Sequence, residues 1–210
     1  PPNGPGPDAQ LVQQRISISR LGGELVPAAF TPVEVAQNDL LWLPETDTIL
    51  LDDGDTLTAG QVFNVTSDVT VPSPELLRST SATGISADFT ALPSGVPDEA
   101  IQLAQQITAG QPTDYDKALA LQNFFRTEFE YSLEVQRGHS DDAISAFLRV
   151  RIGYCEQFAG TFAVMARAVG LPARVAVGFT QGELRPDGRY HVLGKHAHAW
   201  PEVWFDGVGW

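Results

Sequence analysis

The chain has 210 residues, of which 43% are hydrophobic, a proportion typical of folded globular proteins. Its formal net charge of −13 argues against binding to nucleic acid or to an anionic membrane surface, because both need clusters of Lys and Arg. A single cysteine excludes an internal disulfide, and no apolar run approaches the roughly 18 residues of a membrane-spanning helix.

The first part of the chain is predicted to be rich in β-strands. Alternating residues over 15–19 and branched residues over 62–67 and 69–71 favour strands. The sequence Asp52-Asp53-Gly54-Asp55 predicts a turn. Three acids beside a glycine could also bind calcium, but the twelve-residue loop pattern with its terminal Glu is missing, so the turn is the preferred interpretation.

Four helices are predicted from residue 92 onward. The first is capped by Asp98, the second begins where Thr113 and Asp116 resemble a capping box, and the third is capped by Ser140. The fourth starts near Cys155 and ends at Gly170-Leu171-Pro172. Apolar residues at helical spacing are predicted to face the core: Ile101, Ala104, Ile107, Ala118, Leu121, Phe125, Phe129, Ile144, Phe147, Leu148, Phe158, Phe162, Met165, Ala166 and Val169.

Strands are predicted after the fourth helix. They cover 173–179, 190–193 and 198–205, with turns at Pro186-Asp187-Gly188 and Asp206-Gly207. This order predicts an α+β fold with helices packed on an antiparallel sheet, preceded by a small β-rich module. We place the module with its Pro/Gly-rich leader at 1–91 and the α+β domain at 92–210.

Cys155 and His198 are the candidate catalytic residues. The cysteine is predicted at the start of a helix, whose positive end favours a thiolate, and a protonated His198 would favour it further. Backbone N–H groups at a helix start can stabilise an oxyanion. Gly153 is expected to allow a close approach to this helix, and Gly160 to let another element pack closely against it.

Other interpretations of these residues remain open. A lone cysteine is more often a small buried apolar residue than a nucleophile. Three histidines could hold zinc, but no carboxylate or thiol spacing completes a tetrahedral set: they are His191, His196 and His198. Trp200 and Trp204 are expected to pack in a strand.

Three segments together resemble the transglutaminase-like superfamily. They are Gly153-Tyr154-Cys155-Glu156-Gln157-Phe158-Ala159, Gly170-Leu171-Pro172-Ala173-Arg174 and His198-Ala199-Trp200-Pro201-Glu202-Val203. The resemblance covers about residues 92–210 and implies a papain-like fold. It implies that Cys155 is the nucleophile and that His198, not His196, is the base.

The resemblance also implies a third catalytic residue, an aspartate that follows a Gly-Trp pair. Gly209-Trp210 ends this chain, so the aspartate is expected beyond it, and the domain is expected to be truncated at its C-terminal end. Asp206 precedes the pair and does not match. Without the aspartate, His198 lacks the partner that fixes its tautomer, and the fragment could be inactive. Glu202 matches a recurrent acid of the family, for which we expect a structural role near the site.

The segment around Cys155 resembles the bacterial branch whose catalytic domains are anchored to the membrane and lie outside the cytoplasm. This implies a longer, membrane-anchored parent protein. The implied activity is acyl transfer from a glutamine-type amide to an amine through an acyl-enzyme. The substrate partner is then a protein or peptide amide, and no cofactor or metal is expected.

Two alternatives to acyl transfer stay open. The same cysteine and histidine could serve an amidase or peptidase, for example on cell-wall peptides, or the domain could be a catalytically silent binding module. A papain-type protease is disfavoured, because there the histidine follows the cysteine by roughly 130–150 residues, about three times the separation found here.

Overall fold

The computed structural model describes residues 9–135 and 143–210. It divides into two compact units, one ending at Val71 and the other beginning at Pro72. The boundary between these two units lies before the domain boundary predicted between residues 91 and 92, which stays a prediction. Helix α1 (Pro74–Ser79) packs against a helix of the second unit, and Ala82 belongs to that unit's core.

The first unit consists of strands and loops. Its strands are β1 (Leu11–Ser17), β2 (Pro32–Val35), β3 (Leu40–Leu43), β4 (Thr48–Leu51) and β5 (Val62–Asp68). An antiparallel sheet has the order β1-β5-β2, and β3 and β4 form a hairpin. Alternating residues of these strands and residues of the adjoining loops form the core: Ile18, Val26, Ile49, Leu57, Phe63 and Val65.

The β-rich prediction for this unit is confirmed in outline. Strand β1 overlaps the predicted 15–19 and β5 contains the predicted 62–67. Residues 69–71 are not a strand, and Val71 is among the most exposed apolar residues described. The acidic segment does form a turn, a short 3₁₀ helix over Asp52–Gly54.

Four further helices belong to the second unit: α2 (Asp98–Thr108), α3 (Asp114–Glu128), α4 (Ala143–Val150) and α5 (Cys155–Ala168). All four were predicted. The cap assigned to Asp98 is wrong, because Pro97 occupies that position and Asp98 is the first helical residue. There its charge lies at the positive end of the helix. The predicted cap of α4, Ser140, lies outside the described residues.

The strands of the second unit are β6 (Glu130–Tyr131), β7 (Ile152–Gly153), β8 (Ala173–Phe179), β9 (Glu183–Leu184), β10 (Tyr190–His191) and β11 (Ala197–Val203). The β8–β11 and β9–β10 pairs are antiparallel, and the short β6–β7 pair is parallel. The α+β fold is confirmed. Strand β10 is shorter than predicted, and β11 begins and ends earlier.

Helix α5 lies at the centre of this unit. It packs against α2, α3 and α4, and also against β8 and β11. Met165 and Ala166 on this helix are completely buried. An aromatic cluster joins it to its neighbours, with ring centroids 5.0 Å apart for Phe147 and Phe158 and 4.9 Å for Phe129 and Phe147. Such edge-on and tilted pairs stabilise a core beyond the area they bury.

In the part of the chain that the structure describes, no helix combines the length and the apolar character that crossing a membrane requires.

The start of α3 provides a test of the fold. The Thr113 hydroxyl accepts from the backbone N–H of Asp116 (3.1 Å) and donates to its carboxylate (2.6 Å). Replacing Thr113 by Ala should lower the free energy of unfolding by about 1 kcal/mol in urea titrations, because the cap is lost. Thr113→Ser retains the hydroxyl and should stay close to the unchanged chain; equal stability of all three would contradict this role.

The same cap should depend on pH. The hydrogen bond from Thr113, followed by that from Arg78, lowers the pKa of Asp116 in the folded chain. A lowered pKa stabilises the fold above the carboxyl's unfolded pKa, and the stabilisation is lost as the pH falls through the folded value. The difference between Thr113→Ala and the unchanged chain should therefore shrink in acid.

Candidate active site

Cys155 is the first residue of α5, and Tyr154 is the N-cap. The Gln157 side chain accepts from the backbone N–H of Tyr154 (3.2 Å), which fixes the entry of the chain into the helix. The thiol is partly buried and in no disulfide. The first N–H groups of a helix have no carbonyl partner within the helix, so Cys155 stands where donors to an anion are available.

A close contact at Gly153 sets this helix start. A Cβ at this position would lie 2.5 Å from the Phe147 ring and 2.6 Å from the Gln157 side-chain oxygen. No side chain fits there without moving α4 or the helix entry. The expected role of Gly153 is confirmed, whereas that of Gly160 is wrong, because nothing lies within 4 Å of a Cβ built on it.

His198 is the second residue of β11 and pairs with Gly178 of β8. Since α5 packs against both strands, the structure brings together the elements that carry the two predicted catalytic residues. The His198 ring lies beside that of Trp200, with the centroids 6.5 Å apart and the planes 24° from parallel.

The two neighbouring histidines have other surroundings. His196 ends a 3₁₀ turn, where its Nδ1 accepts from the backbone N–H of Leu193 (2.9 Å). His191 lies on the exposed β9–β10 hairpin, 3.6 Å from the Asp187 carboxylate. Within the described residues, no group of three or more His, Cys, Asp or Glu side chains is arranged to hold a metal ion.

Glu202 joins the two strands of the sheet. Its carboxylate accepts from the Arg174 guanidinium, at 2.8 Å from Nε and 2.7 Å from Nη2, and from Trp200 Nε1 at 2.9 Å. Arg174 also stacks on the Trp210 ring, 4.3 Å from its centroid. The structural role expected for Glu202 is thus to hold the side chains of Arg174 and Trp200.

Tyr131 is a residue of the site that the sequence did not indicate. Strand β6 pairs it with Gly153, and its ring lies 6.1 Å from that of Phe158. Its hydroxyl interacts with the Cys155 thiol. Burial raises the pKa of the Tyr131 phenol, and the charge and side-chain hydrogen bond of Cys155 raise it further, against a smaller lowering by the hydrogen bond from the Cys155 backbone N–H. A two-residue strand has no periodicity, so no local pattern pointed to this neighbour.

Asp206, which does not match the family's third catalytic residue, contacts the 81–84 segment of the chain. It occupies the turn after β11, where its backbone N–H donates to the Ser81 carbonyl (2.9 Å). Its carboxylate is next to Gly84, at which a Cβ would lie 2.9 Å from Oδ1. Asp206 therefore fixes the 81–84 segment to this turn.

Two curated proteins match part of this chain. The protein YebA of Bacillus subtilis is 31% identical over 128 residues, which are 57% of this chain and 17% of YebA. A protein-glutamine gamma-glutamyltransferase of Pseudomonas aeruginosa is 38% identical over 94 residues, which are 44% of this chain and 14% of that protein. The chain thus aligns with less than a fifth of either relative's length.

A solved structure matches nearly the whole chain. It is the periplasmic domain of TgpA from Pseudomonas aeruginosa, with a TM-score of 0.76, 25% sequence identity, and coverage of 99% of this chain and 69% of that one. Residues 101–210, more than half of the chain, match the sequence model of the Transglutaminase-like superfamily. The chain belongs to the transglutaminase-like superfamily.

Proposed function

We propose that this protein is a cysteine-dependent acyltransferase acting on protein or peptide amides. The observation that carries the proposal is the position of Cys155 as the first residue of α5, a helix packed on the strand that holds His198. The Pseudomonas aeruginosa relative named protein-glutamine gamma-glutamyltransferase supports this activity. Cys155 is the proposed nucleophile and His198 the proposed acid and base.

In the first half-reaction, the Cys155 thiolate attacks the carbonyl carbon of a glutamine-type amide. A C–S bond forms, and the carbonyl electrons move to oxygen, where backbone N–H groups at the start of α5 stabilise the negative charge. The His198 imidazolium gives its proton to the amide nitrogen. The C–N bond then breaks, releasing ammonia and leaving a thioester on Cys155.

In the second half-reaction, an amine attacks the thioester carbon while neutral His198 takes its proton. A new C–N bond forms, the C–S bond breaks, and the electrons return to sulfur as the Cys155 thiolate. Water in place of the amine would give a carboxylate, the product of an amidase. Transfer and hydrolysis therefore share one mechanism and differ in the acceptor that reaches the thioester.

Tyr131 would supply a neutral hydroxyl beside the nucleophile. Because its pKa is raised, the phenol keeps its proton at the pH values where a thiol ionises. It can therefore donate a hydrogen bond to the thiolate before attack.

We further propose that the domain works outside the cytoplasm as part of a longer, membrane-anchored protein. The solved relative described as a periplasmic domain supports the location.

A membrane-impermeant maleimide should label intact cells producing the full-length protein, but label them less when Cys155 is replaced by Ala. Labelling of Cys155 only after lysis would contradict the location.

The activity is tested by incubating the full-length protein with a glutamine peptide and a labelled primary amine. Incorporation of the amine with release of ammonia is expected, and Cys155→Ala should abolish both, because the thioester cannot form. His198→Ala should reduce the rate on the order of 100-fold or more, in line with the loss of a general base. His196→Ala is the matched control and should retain the activity.

Two other results of this assay would change the proposed function. Cys155-dependent ammonia release without amine incorporation would replace transfer by hydrolysis. No Cys155-dependent release from any amide, by protein that ultraviolet circular dichroism shows to be folded, would contradict an enzymatic function and favour a silent binding module.

The interaction between Tyr131 and Cys155 can be measured by following the ionisation of tyrosine in an ultraviolet titration. Subtracting the titration of Tyr131→Phe isolates the ionisation of Tyr131, which should lie above the ordinary tyrosine value of about 10. Cys155→Ala should lower this midpoint, because the thiolate charge and the hydrogen bond are removed. A midpoint that does not respond to Cys155→Ala would show that the two groups do not interact.

A further inference from the structure

Three residue pairs stand in a row on one face of the β8–β11 sheet. The register pairs Arg174 with Glu202, Ala176 with Trp200, and Gly178 with His198. Because side chains alternate between the faces of a strand, and paired residues share a face, all six lie on the same side. The proposed base His198 is at one end of the row and the ion pair is at the other.

The ion pair is nearly buried. The side chains of Arg174 and Glu202 expose only 12% and 13% of their surface. Both carboxylate oxygens are occupied: Oε2 accepts from Arg174 and Oε1 from Trp200. Burying two charges is costly, and an apolar pair of similar volume often gives equal or greater stability. The burial of this ion pair is therefore only weak evidence of a stabilising role.

Trp200 connects the ion pair to the histidine. Glu202 fixes the indole at Nε1, and the far edge of the indole lies over Gly178. A Cβ on Gly178 would be 3.0 Å from Trp200 Cη2 and 3.4 Å from Cζ3. The indole thus reaches diagonally to the residue that pairs with His198, and its plane lies 24° from that of the imidazole.

We propose that Glu202 is a positioning residue, which together with Arg174 holds Trp200 in place and thereby fixes the ring of His198. An indole attached at one end to a buried carboxylate, and lying over a glycine at the other, has little room to rotate. It therefore limits the rotation of the neighbouring imidazole. This inference rests on the proposed function, since a fixed ring matters only if His198 transfers protons.

The orientation has a direct chemical consequence. In the proposed cycle His198 gives a proton to the leaving nitrogen and later takes one from the acceptor, so the same ring must face the reacting centre twice. Misplacement by about 1 Å can cost on the order of 100-fold in rate. Loss of Glu202 should therefore lower kcat, while KM changes little.

The experiment compares variants of the full-length protein in the amine-incorporation assay. Glu202→Ala removes the acceptor for Trp200 and the partner of Arg174, and should lower kcat on the order of 10- to 100-fold. Glu202→Gln keeps an acceptor for the indole and should recover part of this loss. Trp200→Phe keeps a ring without the N–H and should behave like Glu202→Ala.

A double variant separates positioning from general destabilisation. If Glu202 acts through His198, then Glu202→Ala should have no further effect on kcat, or on alkylation of Cys155 by iodoacetamide, in a His198→Ala background. Arg78→Gln is the matched control, since it breaks the Arg78–Asp116 pair between α1 and α3, and should leave kcat unchanged.

The outcomes distinguish this inference from the proposed function. If His198→Ala has full activity, the proposed base is wrong and positioning is overturned with it. If His198→Ala loses activity as expected but Glu202→Ala keeps full kcat, the positioning role alone is overturned. An equal loss from Glu202→Ala with and without His198 would also overturn it, because the effect would then not pass through the histidine.

Discussion

The site depends on a backbone position that tolerates no side chain. At Gly153, the ring of Phe147 and the carboxamide of Gln157 occupy the volume that any Cβ would need. The contact brings the end of β7 against α4 and sets where α5 begins, and with it the location of Cys155. Since β6 pairs with β7 through the same residue, Tyr131 also reaches the thiol because of this contact.

A second constraint comes from the buried pair of Arg174 and Glu202. These residues belong to two motifs separated in the sequence, Gly-Leu-Pro-Ala-Arg and His-Ala-Trp-Pro-Glu-Val. Antiparallel pairing of β8 and β11 places them directly opposite one another. The pairing explains why Arg174, after α5, and Glu202, after His198, are partners in the folded chain. Two motifs of the family signature are thus joined by one ion pair.

The long elements were predictable because each carries enough residues to show a period. Helix α3 buries Leu121 and Phe125, and α5 buries Phe162 and Met165, all at the predicted spacing. Short elements gave no such signal: α1 has six residues and β6 two. That is why the contact of Tyr131 with the site was not predicted. The cap at Asp98 failed because an acid favours the first turn of a helix as well as the N-cap, and here Asp98 is the first helical residue while Pro97 is the N-cap without a side-chain hydrogen bond.

By itself the sequence determined the α+β class, the helix that begins at Cys155, and the identity of the candidate pair, since these follow from local spacing and from motifs that are contiguous in the chain. The tertiary structure alone decided which side chains surround that pair. Tyr131 reaches Cys155, and Arg174 reaches Glu202, through strand register and helix packing. Contacts between distant segments leave no pattern in either segment alone. The surroundings of Cys155 and His198 are therefore a property of the tertiary structure and not of any single segment.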